Sequence, residues 1–221
     1  MVWWKVAITI IISYFCGNIS FARIISMTKK QDITKLGSGN PGSTNVLRFY
    51  GFKFGVLNLI LDMLKSLIPC LVVYFVCDKS TVMIYIAGIS AMIGHMYPVV
   101  YGFRGGKGVA TMLGVFFVTN PIATAISIVV GFFIWLAFEY GSIVSFICIT
   151  FLTIVEGIRA RANLGVTDRK IVCLILFAIF ALTWYAHRKN IERLLLGKEG
   201  KASLIKKAKK KLKSNSIKEN S

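Results

Sequence analysis

Apolar residues run through this chain in long blocks, without the alternation of a half-buried strand or the narrow stripe of a soluble surface helix. The blocks cover Val6 to Ile25, Val56 to Cys77, Val82 to Val100, Val109 to Thr119, Ile122 to Phe138, Ile143 to Val155 and Ile171 to Tyr185. A perpendicular bilayer span needs about 20 apolar residues as a helix, so the pattern predicts an all-α integral membrane protein of about seven transmembrane helices. Polar patches separate the blocks. They are Met27 to Lys53, Asp78 to Thr81, Gly102 to Gly108, a brief Asn120-Pro121 break, Glu139 to Ser142, Gly157 to Lys170 and a tail from His187.

The basic residues decide the orientation. Met27 to Lys53 and the tail carry the largest loads of lysine and arginine, which predicts a cytoplasmic C-terminus and an N-terminus outside. The Gly-rich loops then sit at the cytoplasmic face. One alternative changes this count. Val109 to Thr119 makes a helix of only about 16 Å, and could join Ile122 to Phe138 as one helix kinked at Pro121. That would place Arg159 to Lys170 inside and expel the tail. Two separate helices keep the tail inside and put that basic loop outside, and the heavier charge of the tail favours them. The division is a multi-span domain over residues 1–200 and a lysine-rich cytoplasmic tail over 201–221. Within Ala202 to Lys213, Leu204, Ile205, Ala208 and Leu212 recur at helical spacing among lysines, as in a surface helix on anionic headgroups, or else a solvated tail.

Composition narrows the class. The 221 residues are 56% hydrophobic and 16% charged, with 27 Lys and Arg against 9 Asp and Glu and a net charge of +18. Such a balance suggests nucleic acid in a soluble protein, but here the cations flank apolar blocks, so no nucleic-acid partner is expected. Cys16, Cys70, Cys77, Cys148 and Cys173 all lie in apolar blocks without metal-ligand spacing and read as small hydrophobes. Lys5 before an apolar run resembles a signal peptide. No small-residue cleavage site closes the run, and Arg23, Lys29 and Lys30 mark a membrane exit, so it reads as an uncleaved first span.

Three polar stretches carry chemistry. The first is Gly37-Ser38-Gly39-Asn40-Pro41-Gly42-Ser43-Thr44-Asn45, followed by Arg48. Its glycines permit positive φ and close backbone approach, and N–H groups in such a turn can cradle an anion. A helix starting after it adds a positive dipole end, and Arg48 can grip phosphate with two parallel hydrogen bonds. Ser38 adds a hydroxyl. The second stretch, Gly94-His95-Met96-Tyr97-Pro98 and Arg104-Gly105-Gly106-Lys107-Gly108, again places glycines and a lysine before an apolar helix. It is not a nucleotide P-loop, because Tyr101 and Gly108 stand where that motif needs Gly and Ser or Thr. Lys107 offers a point charge to phosphate, while His95 reads as a packing residue or a backbone hydrogen-bond partner. In the third stretch, His187 and Asn190 share one helix face, and both suit phosphate or hydroxyl groups. Each stretch alone also reads as an ordinary connector or a positive-inside flank. Asp62 and Lys65, three apart within a span, are expected to pair. Ser142 opens a span near the proposed face.

Together the three stretches resemble the bacterial acyl-phosphate:glycerol-3-phosphate acyltransferase family. The resemblance rests on GSGNPGSTNVLR at 37–48, GHMYPVVYGFRGGKGVAT at 94–111 and HRKNIERLLLGKE at 187–199, with weaker likeness over Tyr14 to Ala22, Asp32-Ile33, Asp62 with Lys65 and Tyr140 to Ser145. Departures are Asn18, Thr34, Ser20, Ser43 and Glu139, the last leaving the site rim less basic than the family pattern. The resemblance implies transfer of a fatty acyl group from acyl phosphate to the 1-hydroxyl of glycerol 3-phosphate, giving lysophosphatidic acid for phospholipid synthesis. It implies a seven-helix membrane fold, with no metal and no cofactor.

The resulting expectation makes Ser38, Arg48, Lys107, His187 and Asn190 the catalytic set. Gly37, Gly39, Asn40, Gly42, Asn45, Arg104, Gly105, Gly106, Gly108 and Ser142 bind substrate or phosphate, and Glu192 supports the helix. A soluble-type acyltransferase would show H-x-x-x-x-D; His95 puts Val100 at the acid position and His187 puts Glu192 there. No acid lies within the Gly-rich loops, so the phosphate of the donor is the expected proton acceptor. The partners expected are the two substrates and membrane lipids, with no obligate protein partner. A small anion transporter or a phospholipid-binding scaffold are the rival classes; a transporter needs a continuous polar path through mid-bilayer, whereas here the polar loops gather at one face.

Overall fold

The computed structural model describes residues 3–77 and 79–202, and the expected tail helix from Ala202 to Lys213 lies almost wholly outside them. Among the described residues the fold is all-helical. Its helices are α1 (Trp3–Asn18), α2 (Phe21–Thr28), α3 (Ser43–Tyr50), α4 (Phe52–Val76), α5 (Thr81–Met96), α6 (Val109–Thr119), α7 (Pro121–Phe138), α8 (Gly141–Asn163), α9 (Val166–Ala186) and α10 (Arg188–Leu195), with 3-10 turns at Ile33–Lys35 and Val99–Tyr101. Five segments are long and apolar enough to cross a bilayer: Trp3–Thr28, Phe52–Val76, Thr81–Tyr101, Pro121–Phe138 and Gly141–Asn163. A sixth combines α9 with α10, bent by 50° between them.

Several expected boundaries move. The first apolar block divides into α1 and α2 at Ile19-Ser20. The expected basic loop from Gly157 to Lys170 is not a loop: α8 continues to Asn163 and α9 starts at Val166, so the turn is only Leu164-Gly165. Charge misled the boundary there, because Arg159 rides on the last turns of α8 and pairs with buried Glu156 at 3.4 Å. Between α6 and α7 the chain breaks into two helices. Asn120 leaves helical geometry at φ −152° and its side chain accepts from Ala123 N at 3.2 Å, with Pro121 in the first turn of α7. Proline suits that position because its missing N–H has no helical partner there.

The core lies among α4, α5, α6, α8 and α9, where Tyr85, Met92, Met112, Val115, Phe116, Ile149, Leu152 and Ile179 are fully enclosed. Large apolar side chains of α7 such as Ile122, Phe133 and Phe138 stay exposed. An outward apolar face of this kind is stable against lipid tails and unstable in water.

Small residues set how closely the helices approach. A Cβ placed on Gly17 would strike the Ala91 carbonyl, and one on Gly94 would strike the Tyr14 carbonyl. The α1–α5 contact is therefore backbone to backbone, in the manner of small-residue interfaces between membrane helices. Gly114 of α6 meets the Met63 carbonyl and Ser66 of α4 in the same way. Gly94 belongs to the second polar stretch, yet its role here is helix packing.

One buried polar cluster ties these helices to the site end of the bundle. Lys65 pairs with Asp62 at 2.9 Å, as expected from their spacing. The same ammonium donates to Ile19 O at 2.8 Å, a carbonyl freed by the α1–α2 break, and meets His95 Nδ1 at 2.6 Å. Asn58 Nδ2 donates to Asp62 Oδ2 at 2.8 Å and to Ser43 Oγ at 2.9 Å. His95, expected as a packing residue or a backbone hydrogen-bond partner, thus meets a charged side chain through its ring.

Replacing Gly17 or Gly94 by Leu should force α1 from α5 and cost about 1–3 kcal/mol or more. The check is the thermal unfolding midpoint of the purified protein in detergent, with Gly157→Leu, an open position, as the control.

Candidate active site

The first polar stretch is shaped by its own side chains. Asp32 Oδ1 accepts from Thr34 N at 2.9 Å and opens a 3-10 turn. Gly37 and Gly39 then take φ of +56° and +68°, where a Cβ is strained. Asn45, fully buried, donates to Leu36 O at 2.9 Å and Ile33 O at 3.3 Å and accepts from Ser38 N at 3.4 Å. Its amide therefore holds the loop, a task not foreseen for a residue expected to bind substrate. The loop delivers Ser38 to the end of the bundle, and α3 carries Arg48 beside it.

In the second stretch the glycine amides are already engaged. Gly105 N donates to Met96 O at 3.1 Å and Gly106 N to His95 O at 3.0 Å, closing the end of α5. Similarly, Gly39 N donates to Leu36 O at 2.9 Å and Gly42 N to Asn40 O at 2.9 Å. The expected glycine nests are corrected on this point, because those N–H groups face backbone carbonyls. A Cβ on Gly106 would also meet the His95 ring, so close approach is what glycine provides there. The first-turn amides of the helices that start at the cavity, α3, α6 and α8, have no carbonyl one turn back and remain as donors for an anion. Val109 and Ala110 bring the α6 turn to the cavity wall after Gly108 at φ +83°.

All three stretches meet at one cavity of about 300 Å³. Ser38, Asn40, Gly42, Asn45 and Arg48 line it from the first, Lys107 and Gly108 from the second, and His187 and Asn190 from the third, joined by Ser142. Its other wall is apolar, with Leu59, Leu113, Ile128, Phe132, Trp135, Val144 and Cys148 from α4, α6, α7 and α8. Some expected residues stand apart. Arg104 is exposed, and its carbonyl accepts from Arg23 at 2.8 Å. Neither it nor Gly39, Gly105 or Gly106 lines the cavity, and Gly37 lines a neighbouring one.

Polar bonds connect the stretches across the cavity. Lys107 Nζ donates to Asn190 Oδ1. Asn190 Nδ2 donates to Glu199 Oε1 at 2.6 Å, and Arg193 Nε to Glu199 Oε2 at 2.7 Å. Ser142 Oγ donates to Glu199 Oε1 at 3.4 Å, and Arg48 donates to Gly200 O. Glu199 is thus the supporting acid. Glu192, expected in that part, is exposed and has no ion pair or side-chain hydrogen bond among the described residues, because its place on α10 points away from the junction. Sequence reasoning reached the end of the third motif at Glu199 without assigning it a task. It also missed that Asp62 and His95 line the cavity floor, so carboxylates border the site although none lies within the loops.

The charges are tuned by this enclosure. Burial pulls the Lys107 ammonium down to about 8; the nearby Arg193 and Arg48 cations add to the effect and Glu199 opposes it. Burial alone would raise the Glu199 carboxyl, but hydrogen bonds from Arg193 and Asn190 and the charges of Arg193 and Arg48 outweigh it, holding the group below the usual carboxylate range. His187, just beyond α9 and almost wholly enclosed, bonds through Nδ1 to Thr183 O at 2.8 Å. A carbonyl partner fixes the proton on Nδ1 and leaves Nε2 as an acceptor.

A cationic end, an apolar wall and a turn of unpaired amides suit a ligand with a phosphate head and an acyl tail. Comparison with known proteins agrees. The family model described as glycerol-3-phosphate acyltransferase matches residues 7–197. The glycerol-3-phosphate acyltransferase of Aquifex aeolicus (strain VF5) is 38% identical over 198 residues, covering 88% of this chain and 98% of that one. That of Wolbachia pipientis wMel is 36% identical over 194 residues, covering 88% and 96%. The crystal structure of PlsY (YgiH), an integral membrane glycerol 3-phosphate acyltransferase, in its glycerol 3-phosphate form, superposes with a TM-score of 0.81 at 36% identity, covering 91% of this chain and 97% of that one. The chain belongs to the glycerol-3-phosphate acyltransferase family, as a multi-pass membrane enzyme.

Proposed function

We propose that this acyltransferase moves a fatty acyl group from acyl phosphate to the 1-hydroxyl of glycerol 3-phosphate, releasing lysophosphatidic acid and inorganic phosphate. One observation carries the reading: three glycine-bearing polar stretches far apart in sequence line one cavity, cationic at one end and apolar along its wall. Reconstituted protein given both substrates tests it directly by the appearance of lysophosphatidic acid.

The chemistry divides between the two ends. The acyl chain lies along Ile128, Phe132, Trp135 and Val144, within reach of lipid, and the donor phosphate sits against Arg48, Lys107 and the first turn of α6. His187 Nε2 and Asn190 orient the glycerol 3-phosphate hydroxyl. The hydroxyl oxygen attacks the acyl carbonyl carbon, the bond from that carbon to the phosphate oxygen breaks, and the departing phosphate takes the hydroxyl proton. Acyl phosphate is an activated anhydride, so positioning and electrostatic stabilisation of the tetrahedral oxyanion suffice; Ser38 is placed to donate to it. Glu199 serves as a charge partner. Its low proton affinity, and the engagement of both its oxygens, argue against a role as base.

The orientation belongs to the same proposal. The chain crosses seven times, with α6 as a short span, the N-terminus outside and the cavity at the cytoplasmic face. Arg23, Lys29, Lys30, Lys35, Arg48, Lys53, Arg104, Lys107 and the cations of α10 all gather at the cavity end of the bundle, which supports this sidedness. Residues 1–200 form the catalytic unit and 201–221 a basic tail on anionic lipid; packing continues to Ala202, whose N–H donates to Glu139 O at 2.8 Å.

Lys107→Met should lower kcat/KM by about two to three orders of magnitude while the protein still purifies as a folded monodisperse species. Because the protonated ammonium is the binding form and burial lowers it to about 8, the wild-type rate should decline as pH rises through that value. Lys107→Arg should move the decline to higher pH, read from the pH profile of kcat/KM. His187→Ala should slow turnover without removing any titration near pH 6 or 7; loss of such a limb would make His187 the general base. Single cysteines at Phe103 and Lys189 should resist an impermeant thiol reagent applied to intact cells while one at Lys79 reacts, and reaction at either of the first two would reverse the orientation.

A further inference from the structure

A second cavity of about 530 Å³ adjoins the reaction cavity. Arg48, Arg193, Lys198 and Lys201 line it, and no acidic residue does so among the described residues. The two cavities share Ser38, Leu47, Arg48 and Ala202. The strap from Glu199 to Ala202 borders both. It is held by Arg48 on Gly200 O, by Ala202 N on Glu139 O, and by Asn190 and Arg193 on the Glu199 carboxylate. Glu199 lines the reaction cavity and pairs with Arg193 at 2.7 Å, so the excess positive charge of the second cavity comes from Arg48, Lys198 and Lys201.

The substrates of the proposed reaction require different routes. An acyl chain can arrive through the apolar wall of α7 and α8. A phosphate dianion cannot, since an uncompensated charge against lipid or apolar side chains is prohibitive. It must come from water, and the second cavity offers a cationic, partly solvated approach to Ser38 and Arg48. Arg48, Lys198 and Lys201 converging on one concavity raise the local concentration of an anion and speed its capture.

We propose that this second cavity is a binding site for a water-borne phosphate monoester, a loading position from which Arg48 passes glycerol 3-phosphate into the reaction cavity. The proposal rests on the acyltransferase reading above. Lys198 and Lys201 supply its charge without belonging to the reaction cavity, and both are exposed; Gln in their place removes charge, and at Lys201 it also gives up the cation's contact with the Tyr140 ring at 5.5 Å.

Two measurements on the full-length protein in lipid nanodiscs test it. In steady-state kinetics, Lys198→Gln/Lys201→Gln should reduce kcat/KM for glycerol 3-phosphate by about tenfold, the lower end of electrostatic capture effects, and weaken its salt dependence. The kcat/KM for acyl phosphate should change by less than about twofold, since that substrate does not use the cationic route. Equal losses for both substrates, or no loss for glycerol 3-phosphate, would overturn the proposal. So would weaker inhibition by lysophosphatidic acid with unchanged glycerol 3-phosphate kinetics, which would assign the cavity to a lipid headgroup. The second measurement needs no turnover. Inorganic phosphate should slow amine-reagent labelling of Lys198 and Lys201 in wild type and in Lys107→Met; unaltered labelling rejects the site. A wild type that shows phosphate protection yet no acyl transfer would refute the catalytic reading and leave the site standing.

Discussion

A charge brought out of water in a bundle surrounded by lipid must find its counter-charge and its hydrogen bonds inside the protein, and this constraint organises the whole site. The cations that would hold phosphate cannot stand alone in the absence of ligand. Lys107 therefore leans on Asn190, Asn190 on Glu199, and Glu199 on Arg193. Arg48 uses the Gly200 carbonyl. The same bonds that satisfy these charges bind the second stretch to the third and the first to the segment after α10. Removing one partner of such a pair leaves the other buried and uncompensated, and that costs far more than the pair contributes. The site is thus held in shape by the groups that would otherwise be too costly to bury.

The Asp62–Lys65–His95 cluster shows the same constraint one layer deeper. Lys65 reaches the Ile19 carbonyl opened by the α1–α2 break, while Asn58 links Asp62 to Ser43 at the start of α3. His95 sits beneath Gly106, near enough that glycine alone fits. A contiguous chain of polar contacts therefore runs from the helix after the first stretch, through α4, to the loop that presents Lys107. Close glycine contacts of α1 with α5 and of α4 with α6 hold those helices at the separation the chain needs. Glycine in this protein acts mainly by permitting approach: of backbone to backbone between spans, and of loop to histidine under the site.

Much of this was readable in advance. Long apolar blocks demand helices in lipid because no other isolated element satisfies its own backbone there, and α6 and α7 begin and end within a residue of the hydropathy pattern. The Asn120-Pro121 break was legible as a separation of two helices, with one helix kinked at Pro121 as the alternative; the Asn120 cap is what the structure adds. Arg159 to Lys170 was not, since charged residues can ride on helix ends when a buried acid such as Glu156 receives one of them. Asn45 and the glycine amides of both loops looked like ligand donors, yet a tight loop consumes its own donors to hold its shape. Glu192 and Glu199 illustrate the limit most clearly. Both are acids near the end of the same motif, and only the turn after α10 decides which one reaches Asn190 and Arg193.

What the amino-acid order determined by itself was the class of molecule and the inventory of its site: a lipid-embedded helical chain, basic at one end of its spans, with Ser38, Arg48, Lys107, His187 and Asn190 in three separate polar stretches. Those features follow from hydropathy and residue chemistry, which are local. The tertiary structure decided which groups meet, which helix starts bring open amides to the cavity, and which carboxylate answers Lys107 and Arg48. Those outcomes depend on side chains more than 80 residues apart coming within hydrogen-bonding distance, and no local pattern encodes a distance across the bundle.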